Sequence, residues 1–151
     1  MRDCSIQLTN HPGDLSRVAQ ALSHRGVNIK ALAAMTVNGT SMTRILPDDI
    51  VGARSAFEGA NIRFEESEVH LVLLENKAGM LASITSRLGD AGVNLEALYI
   101  TGLADDLVEL AIVSDNPKKA KKILEELKAR YLATDATAAV SQSSNSSQVQ
   151  N

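Results

Sequence analysis

"IQLTNHPGDLSRVAQALSHRGVNIKAL", Ile6 to Leu32, and "VLLENKAGMLASITSRLGDAGVNLEAL", Val72 to Leu98, are two versions of one stretch, 66 positions apart. Aligned without gaps they agree at ten of 27 columns: Leu8/Leu74, Asn10/Asn76, Gly13/Gly79, Leu15/Leu81, Leu22/Leu88, Gly26/Gly92, Val27/Val93, Asn28/Asn94, Ala31/Ala97 and Leu32/Leu98. An internal repeat at such a period determines the architecture, so it is settled before any single element. The agreement falls on turn formers and periodic apolar positions, the residues that set a backbone path.

Around the first copy, Cys4, Ile6 and Leu8 alternate with Ser5, Gln7 and Thr9, the period of a strand with one buried face. "TNHPGD" is a turn cluster, and Asp14 or a neighbour is placed to cap the next helix. Leu15, Val18, Ala19 and Leu22 share one face of that helix, and Gly26 ends it. Val27 to Val37 is a second strand, "NGT" from Asn38 to Thr40 a hairpin turn, and Met42 to Leu46 the return strand. Pro47-Asp48-Asp49 opens a helix carrying Ile50, Ala53, Arg54 and Phe57. Ile62 to Phe64 begins a fourth strand.

The second copy repeats that order. Val69 to Glu75 is a strand, Leu81, Ile84 and Leu88 mark a helix, and Asn94–Thr101 pairs with Leu107–Val113. In "SDNPKKAKKILEELKARY", Asp115 or Asn116 can cap a helix whose stripe is Ala120, Ile123, Leu124 and Leu127. Tyr131 to Val140 is left to supply a last strand, although "ATDATAA" has poor strand propensity. The expected division is residues 1–68, residues 69–140 and a disordered Ser/Gln/Asn tail over 141–151. Leu71-Val72-Leu73-Leu74 is apolar at every position, which is either no more than a short apolar run within His70 to Leu74 or a strand that calls for cover on both faces. A sheet from a second chain is one candidate for the cover that helices do not provide.

Strand–helix–strand–strand–helix–strand, twice, is an α+β arrangement of two ferredoxin-like βαββαβ units, each an antiparallel four-stranded sheet with two helices on one face. Composition bounds what they do. The chain has 151 residues, net charge −3 and one cysteine. Units this small bury little surface alone and are expected to share an interface. There is no basic stripe, and the scarce aromatics Phe57, Phe64, Tyr99 and Tyr131 do not form a base-stacking pattern, which argues against nucleic acid. No export leader or membrane span is read, and a cytoplasmic protein is expected.

"LTNHPGDLSRVAQALSHRGVNI" resembles the ACT domain, whose signature is an apolar strand, N-x-P-G-x-L, an amphipathic helix and G-V-N-I. "LLENKAGMLASITSRLGDAGVNL" is similar, with Ala78 in place of the proline. The resemblance runs from about Cys4 to Val140. It implies a stand-alone tandem regulatory protein that binds an amino acid or similar small molecule between paired units. It further implies a homo-oligomer, a dimer or larger, and a possible metabolic enzyme as partner. The alternative is a ligand-free assembly module.

For the ligand the candidate residues are Asn10, His11, Pro12, Gly13, Asp14, Leu15, Asn28 and Ile29 in the first unit. In the second they are Asn76, Lys77, Gly79, Met80, Leu81, Asn94 and Leu95. Gly13 and Gly79 leave room near the backbone, and N–H groups at the next helix can receive a carboxylate. Asn10 and Asn76 offer a donor and an acceptor, which suits a zwitterion, although each equally suits a turn bonding its own backbone. Asn28 and Asn94 are expected beside that loop, where the family often contacts ligand. Asp14 can meet an amino group, Lys77 a carboxylate, and Met80 gives a less polar rim, so the first loop is expected to be the better site. No arginine lies in either loop to cradle phosphate. His11, His24 and His70 fall on separate elements, so no catalytic residue, metal site or cofactor is expected.

Overall fold

A computed structural model describes residues 1–127 of the chain. The first unit runs β1 (Arg2–Leu8), α1 (Asp14–His24), β2 (Ile29–Val37), β3 (Thr40–Pro47), α2 (Ile50–Gly59) and β4 (Glu65–Glu68). The second runs β5 (His70–Glu75), α3 (Met80–Asp90), β6 (Leu95–Ala104), β7 (Leu107–Ser114) and α4, helical over 117–127. Two antiparallel sheets result, ordered β2-β3-β1-β4 and β5-β7-β6. The first is the ferredoxin-like order, and in the second β5, β7 and β6 stand where β1, β3 and β2 stand in the first. The strand expected over Tyr131–Val140 and the tail over 141–151 lie outside the described residues.

Each unit buries the apolar face of its helices on one face of its sheet. Val18 and Leu22 of α1 and Ala53 and Phe57 of α2 pack on Cys4, Ile6 and Ile45. Ile84 and Leu88 of α3 and Ala120, Leu124 and Leu127 of α4 pack on Leu74, Leu110 and Ile112. Arg54, carried on α2 with Ile50, Ala53 and Phe57, grips Glu66 through Nε and Nη2 at 2.8 and 3.1 Å. The fourth strand also begins later than expected, at Glu65. Ile62 is buried with its N–H on the Phe57 carbonyl at 2.8 Å, and the Phe64 ring lies 5.3 Å from that of Phe57. These two apolar residues plug the helix side of the core before the strand starts.

The cover for the apolar strand comes from within the chain. Register puts Ala31, Ala33, Met35 and Val37 of β2 on the sheet face away from the helices, opposite Leu46, Arg44, Met42 and Thr40 of β3. In the second sheet Leu71 and Leu73 share the corresponding back face with Ala111, Tyr99, Val113 and Ala97. Half of each back face meets the other in a third core of Ala31, Leu46, Val69, Tyr99, Ala111 and Val113, with Ala33, Leu71 and Ala97 at its margin. The alanines let β2 and β6 approach within 8 Å, closer than the roughly 10 Å usual between stacked sheets. Leu71 is therefore covered by the first unit of the same chain, which supplies what a second chain's sheet was a candidate to supply. Leu73, one step along, remains 61% exposed.

One polar cluster crosses this interface. The carboxylate of Asp3, fully buried, accepts Arg44 Nε at 2.8 Å, Arg44 Nη2 at 2.9 Å and the Tyr99 hydroxyl at 3.0 Å. Burial, with the Asp3 charge beside it, pushes the Tyr99 hydroxyl well above its usual range, so it stays a donor. Only Val69 separates β4 from β5, and its N–H bonds the Met1 carbonyl at 2.9 Å.

Candidate functional site

The repeated loops sit at equivalent corners of the two units. In the first, Thr9–Gly13 joins β1 to α1, and Gly13 at the helix N-cap has φ 96°. Gly79 repeats this with φ 92° at the start of α3. A Cβ at either glycine would meet nothing within 4 Å. It is the left-handed backbone, not crowding, that selects glycine. The space beside each Cα is open; of the first-turn N–H groups, which have no intrahelical partners, those of Asp14 and Met80 bond back to the His11 and Lys77 carbonyls at 3.2 and 3.3 Å.

Asp14 does not cap the helix, as expected for it or a neighbour: Gly13 takes the N-cap position with no side-chain bond. Asp14 instead ties the loop, accepting the Thr9 hydroxyl at 2.8 Å and the His11 N–H at 3.1 Å. The His11 N–H, foremost, and the Thr9 hydroxyl hold this carboxyl below its ordinary range. His11 Nδ1 lies 3.0 Å from the same Thr9 oxygen. Asn10, at φ 61°, accepts a bond from the Thr36 hydroxyl at 3.3 Å through Oδ1, which leaves its amide NH2 available as a donor. Leu15, expected in the buried stripe with Val18 and Leu22, is 39% exposed, and Leu81 is 48% exposed. Both leucines, near their glycines, provide an apolar margin to the loop. Pro12 lies exposed on the same loop.

The second loop is furnished differently. The Asn76 N–H bonds the Asp106 carbonyl at 2.6 Å, anchoring the loop to the β6–β7 hairpin. Lys77 forms an ion pair with Glu75, so its charge is shared before any ligand arrives. Met80 packs against the second core instead of forming an open rim.

Asn28, Ile29, Asn94 and Leu95 are not beside the loops of their own units. β1 and β2 both pair antiparallel to β3, so they run parallel to each other. The loop follows the end of β1, whereas Asn28 precedes the start of β2. The 11 residues of α1 lie between them, about 16 Å at the α-helical rise. At that far end the Asn28 N–H bonds Asp48 Oδ1 at 2.9 Å, and the Asp48 N–H returns to the Asn28 carbonyl at 3.0 Å. Asn94 and Asp115 repeat the exchange at 3.0 and 3.1 Å. Sequence reading missed Asp48 and Asp115 in this role and offered them only as helix openers. The available signal was their recurrence at matching places in the repeat. Asn28 also borders a shallow groove of about 390 Å³ with Ala19, Ser23 and Ile29. A larger cavity of about 970 Å³, bordered by Gln7, Met42 and Phe64, shares only Thr9 with the first loop and carries none of the candidate residues.

Among the described residues no group of three His, Cys, Asp or Glu side chains is placed to hold a metal. Burial, with Glu66 and Asp3 nearby, pushes the Cys4 thiol up to about 12, which suits a core residue and not a nucleophile. No described helix is long and apolar enough to cross a membrane.

The architecture is thus two ferredoxin-like units, each with a left-handed glycine opening its first helix. Residues 5–48 match the family model described as the AHAS small subunit-like ACT domain. Among solved structures, protein BT0572 from Bacteroides thetaiotaomicron is similar at 24% identity and TM-score 0.76, over 84% of this chain and 88% of that one. The ligand-free regulatory subunit of aspartate kinase from Thermus thermophilus is similar at 16% identity and TM-score 0.60, over 83% and 89%. The same subunit from Thermus flavus matches at 17% and 0.60, over 86% and 91%. No curated protein matches the sequence. The matched segment, residues 5–48, lies within the first unit, and the similarity to these solved structures extends the shared fold over both units.

Proposed function

We propose that the chain is a non-catalytic regulator that binds a free amino acid, or a ligand bearing the same carboxylate and ammonium groups, at the loop between β1 and α1. The observation that carries this reading is the pairing of an open helix N-terminus at Gly13 with Asn10, whose amide NH2 remains a donor. The helix end receives the carboxylate, Asn10 adds a second polar contact, and His11 and Leu15 border what remains of the ligand. Similarity to the regulatory subunits of aspartate kinase supports a regulatory role by fold.

The site belongs between units. Asn28 and Ile29 cannot reach the loop of their own unit, but antiparallel pairing of β2 edges from two copies sets the start of one strand beside the end of the other. Asn28 and Ile29 of one copy then flank the loop of its neighbour, and a homodimer is the working form. The second loop, with Lys77 already paired to Glu75 and Met80 in the core, serves this assembly more than it serves a ligand. The regulated partner is a separate metabolic enzyme.

Titration of a panel of amino acids against the wild type and Asn10→Ala tests the reading. Loss of one polar contact to a charged group costs about 1.5–3 kcal/mol, so the variant should bind roughly ten to a hundred times more weakly. Unchanged affinity in the variant rules the site out.

A further inference from the structure

The tie in the first loop also decides which nitrogen of His11 is left bare. The Thr9 hydroxyl has a single hydrogen, and Asp14 Oδ2 receives it at 2.8 Å. The His11 N–H, foremost, and this hydroxyl hold Asp14 in its ionised form, which accepts and cannot donate. The same Thr9 oxygen lies 3.0 Å from His11 Nδ1. With its hydrogen given away, that oxygen is left only to accept, so Nδ1 carries the ring proton. The other tautomer would set two lone pairs against each other across this distance. Nε2 of the neutral ring is then an acceptor, on an exposed residue, with no partner among the described residues. Asp14 Oδ1 is likewise unbonded there.

The loop does not need this tie to keep its shape. In the second copy Glu75, Lys77 and Met80 stand where Thr9, His11 and Asp14 stand, so the same chain of bonds cannot form. Yet Gly79 repeats the φ of Gly13, 92° against 96°. The Met80 N–H returns to the Lys77 carbonyl at 3.3 Å, as that of Asp14 does to His11 at 3.2 Å. What the tie adds is not backbone form but the state of a ring.

We propose that Thr9 is a positioning residue whose hydroxyl keeps the His11 proton on Nδ1, and that His11 Nε2 accepts the ammonium of the ligand. The first loop thereby prefers a 2-amino acid over the 2-oxo or 2-hydroxy acid with the same side chain. The inference rests on the reading above, in which this loop binds a small ligand by its carboxylate. Toward that carboxylate the loop offers donors, the helix N–H groups and the Asn10 NH2. All three acids share the carboxylate, so those donors do not tell them apart. His11 Nε2 and Asp14 Oδ1 are acceptors, and only the ammonium brings them both hydrogens and the opposite charge. A 2-oxo acid turns a carbonyl lone pair toward Nε2 and leaves that nitrogen unsatisfied. The second loop has no such acceptor at this place, because a lysine only donates and Lys77 is already paired to Glu75.

Two measurements on the full chain test this. Long-range 1H–15N spectra of the histidine side chains at about pH 8, above the range where an ordinary histidine titrates, read the tautomer without any ligand. His11→Ala identifies the His11 signals by removing them. The wild type should show the proton on Nδ1. Thr9→Val should shift the ring to a mixture with the Nε2–H form, and Thr9→Ser should restore Nδ1–H. Every proteinogenic amino acid is then titrated by calorimetry, and each that binds is compared with its 2-oxo and 2-hydroxy acids. The amino acid should bind at least about tenfold more tightly than either. That preference should shrink several-fold in Thr9→Val and in His11→Ala, and return in Thr9→Ser. A wild-type ring with its proton on Nε2, or a Thr9→Val ring that keeps it on Nδ1, overturns the proposal. So does a 2-oxo acid that binds as tightly as the amino acid while Asn10→Ala weakens both; the first loop then remains the ligand site without the ammonium contact. If no amino acid binds, the proposed function falls and the ammonium contact with it, whichever tautomer the ring shows.

Discussion

At the scale of single residues, the loop is held by backbone conformation and by one carboxylate. Gly13 at φ 96° should not accept a side chain cheaply, although nothing crowds it: Gly13→Ala should lower stability by about 1–2 kcal/mol in urea unfolding. Asp14 has its folded pKa depressed below the ordinary value of 3.8, with the His11 N–H as first cause. A depressed carboxyl contributes above its unfolded pKa and loses that contribution as pH falls through the lower folded value. NMR should therefore place the Asp14 titration below 3.8, with the His11 amide shift following the same curve. A titration at or above the ordinary value removes the tie. Thr43 makes the opposite case. Its hydroxyl is fully buried on the helix face of β3 and has no partner, so Thr43→Val should be neutral or stabilising by about 1 kcal/mol. The loop glycines and asparagines were legible in the sequence because the repeat singled them out. The Asp14 tie was not, because an aspartate before a helical stripe reads first as a cap.

At the scale of elements, helix and strand order followed from periodicity, and the hairpin turned where Asn38-Gly39 said it would. The start of β4 did not, because Ile62 and Phe64 alternate like strand residues while filling a helix-side gap. Gly52 lies inside α2, and the fold gives it a reason. A Cβ there would stand 2.6 Å from Asp49 Oδ2 and 2.8 Å from Val27 Cγ2, although Asp49 must stay in place to accept the Val51 N–H at 3.0 Å. Gly52→Ala should thus lower the melting temperature, against the gain of about 1 kcal/mol that helix propensity alone predicts. A higher melting temperature would show that Asp49 moves aside without loss.

At the scale of the whole molecule, the two units are joined by back-face packing around Asp3, Arg44 and Tyr99. Sequence could offer cover on both faces of β5 as one of two readings, but not which surface provided it, since Ala31, Ala97 and Ala111 carry no sign of their partners. Nor could it show that Asn28 and Asn10 sit at opposite ends of a unit, because adjacency along the motif is not adjacency in space. Removing the arginine leaves a fully buried carboxylate with one donor, so Arg44→Met should cost about 3–5 kcal/mol. Tyr99→Phe, which leaves the ion pair intact, should cost only about 1–2 kcal/mol. Equal costs in urea unfolding would mean that the interface does not depend on this charge.

Function turns on whether an amino acid binds at the first loop and not principally at the second, and calorimetric titration of Asn10→Ala beside Asn76→Ala decides it. Saturable heat is expected with one amino acid of the panel for the wild type, retained in Asn76→Ala and weakened roughly tenfold or more in Asn10→Ala. Heat with no amino acid, or equal binding in Asn10→Ala and the wild type, contradicts the assignment of the first loop.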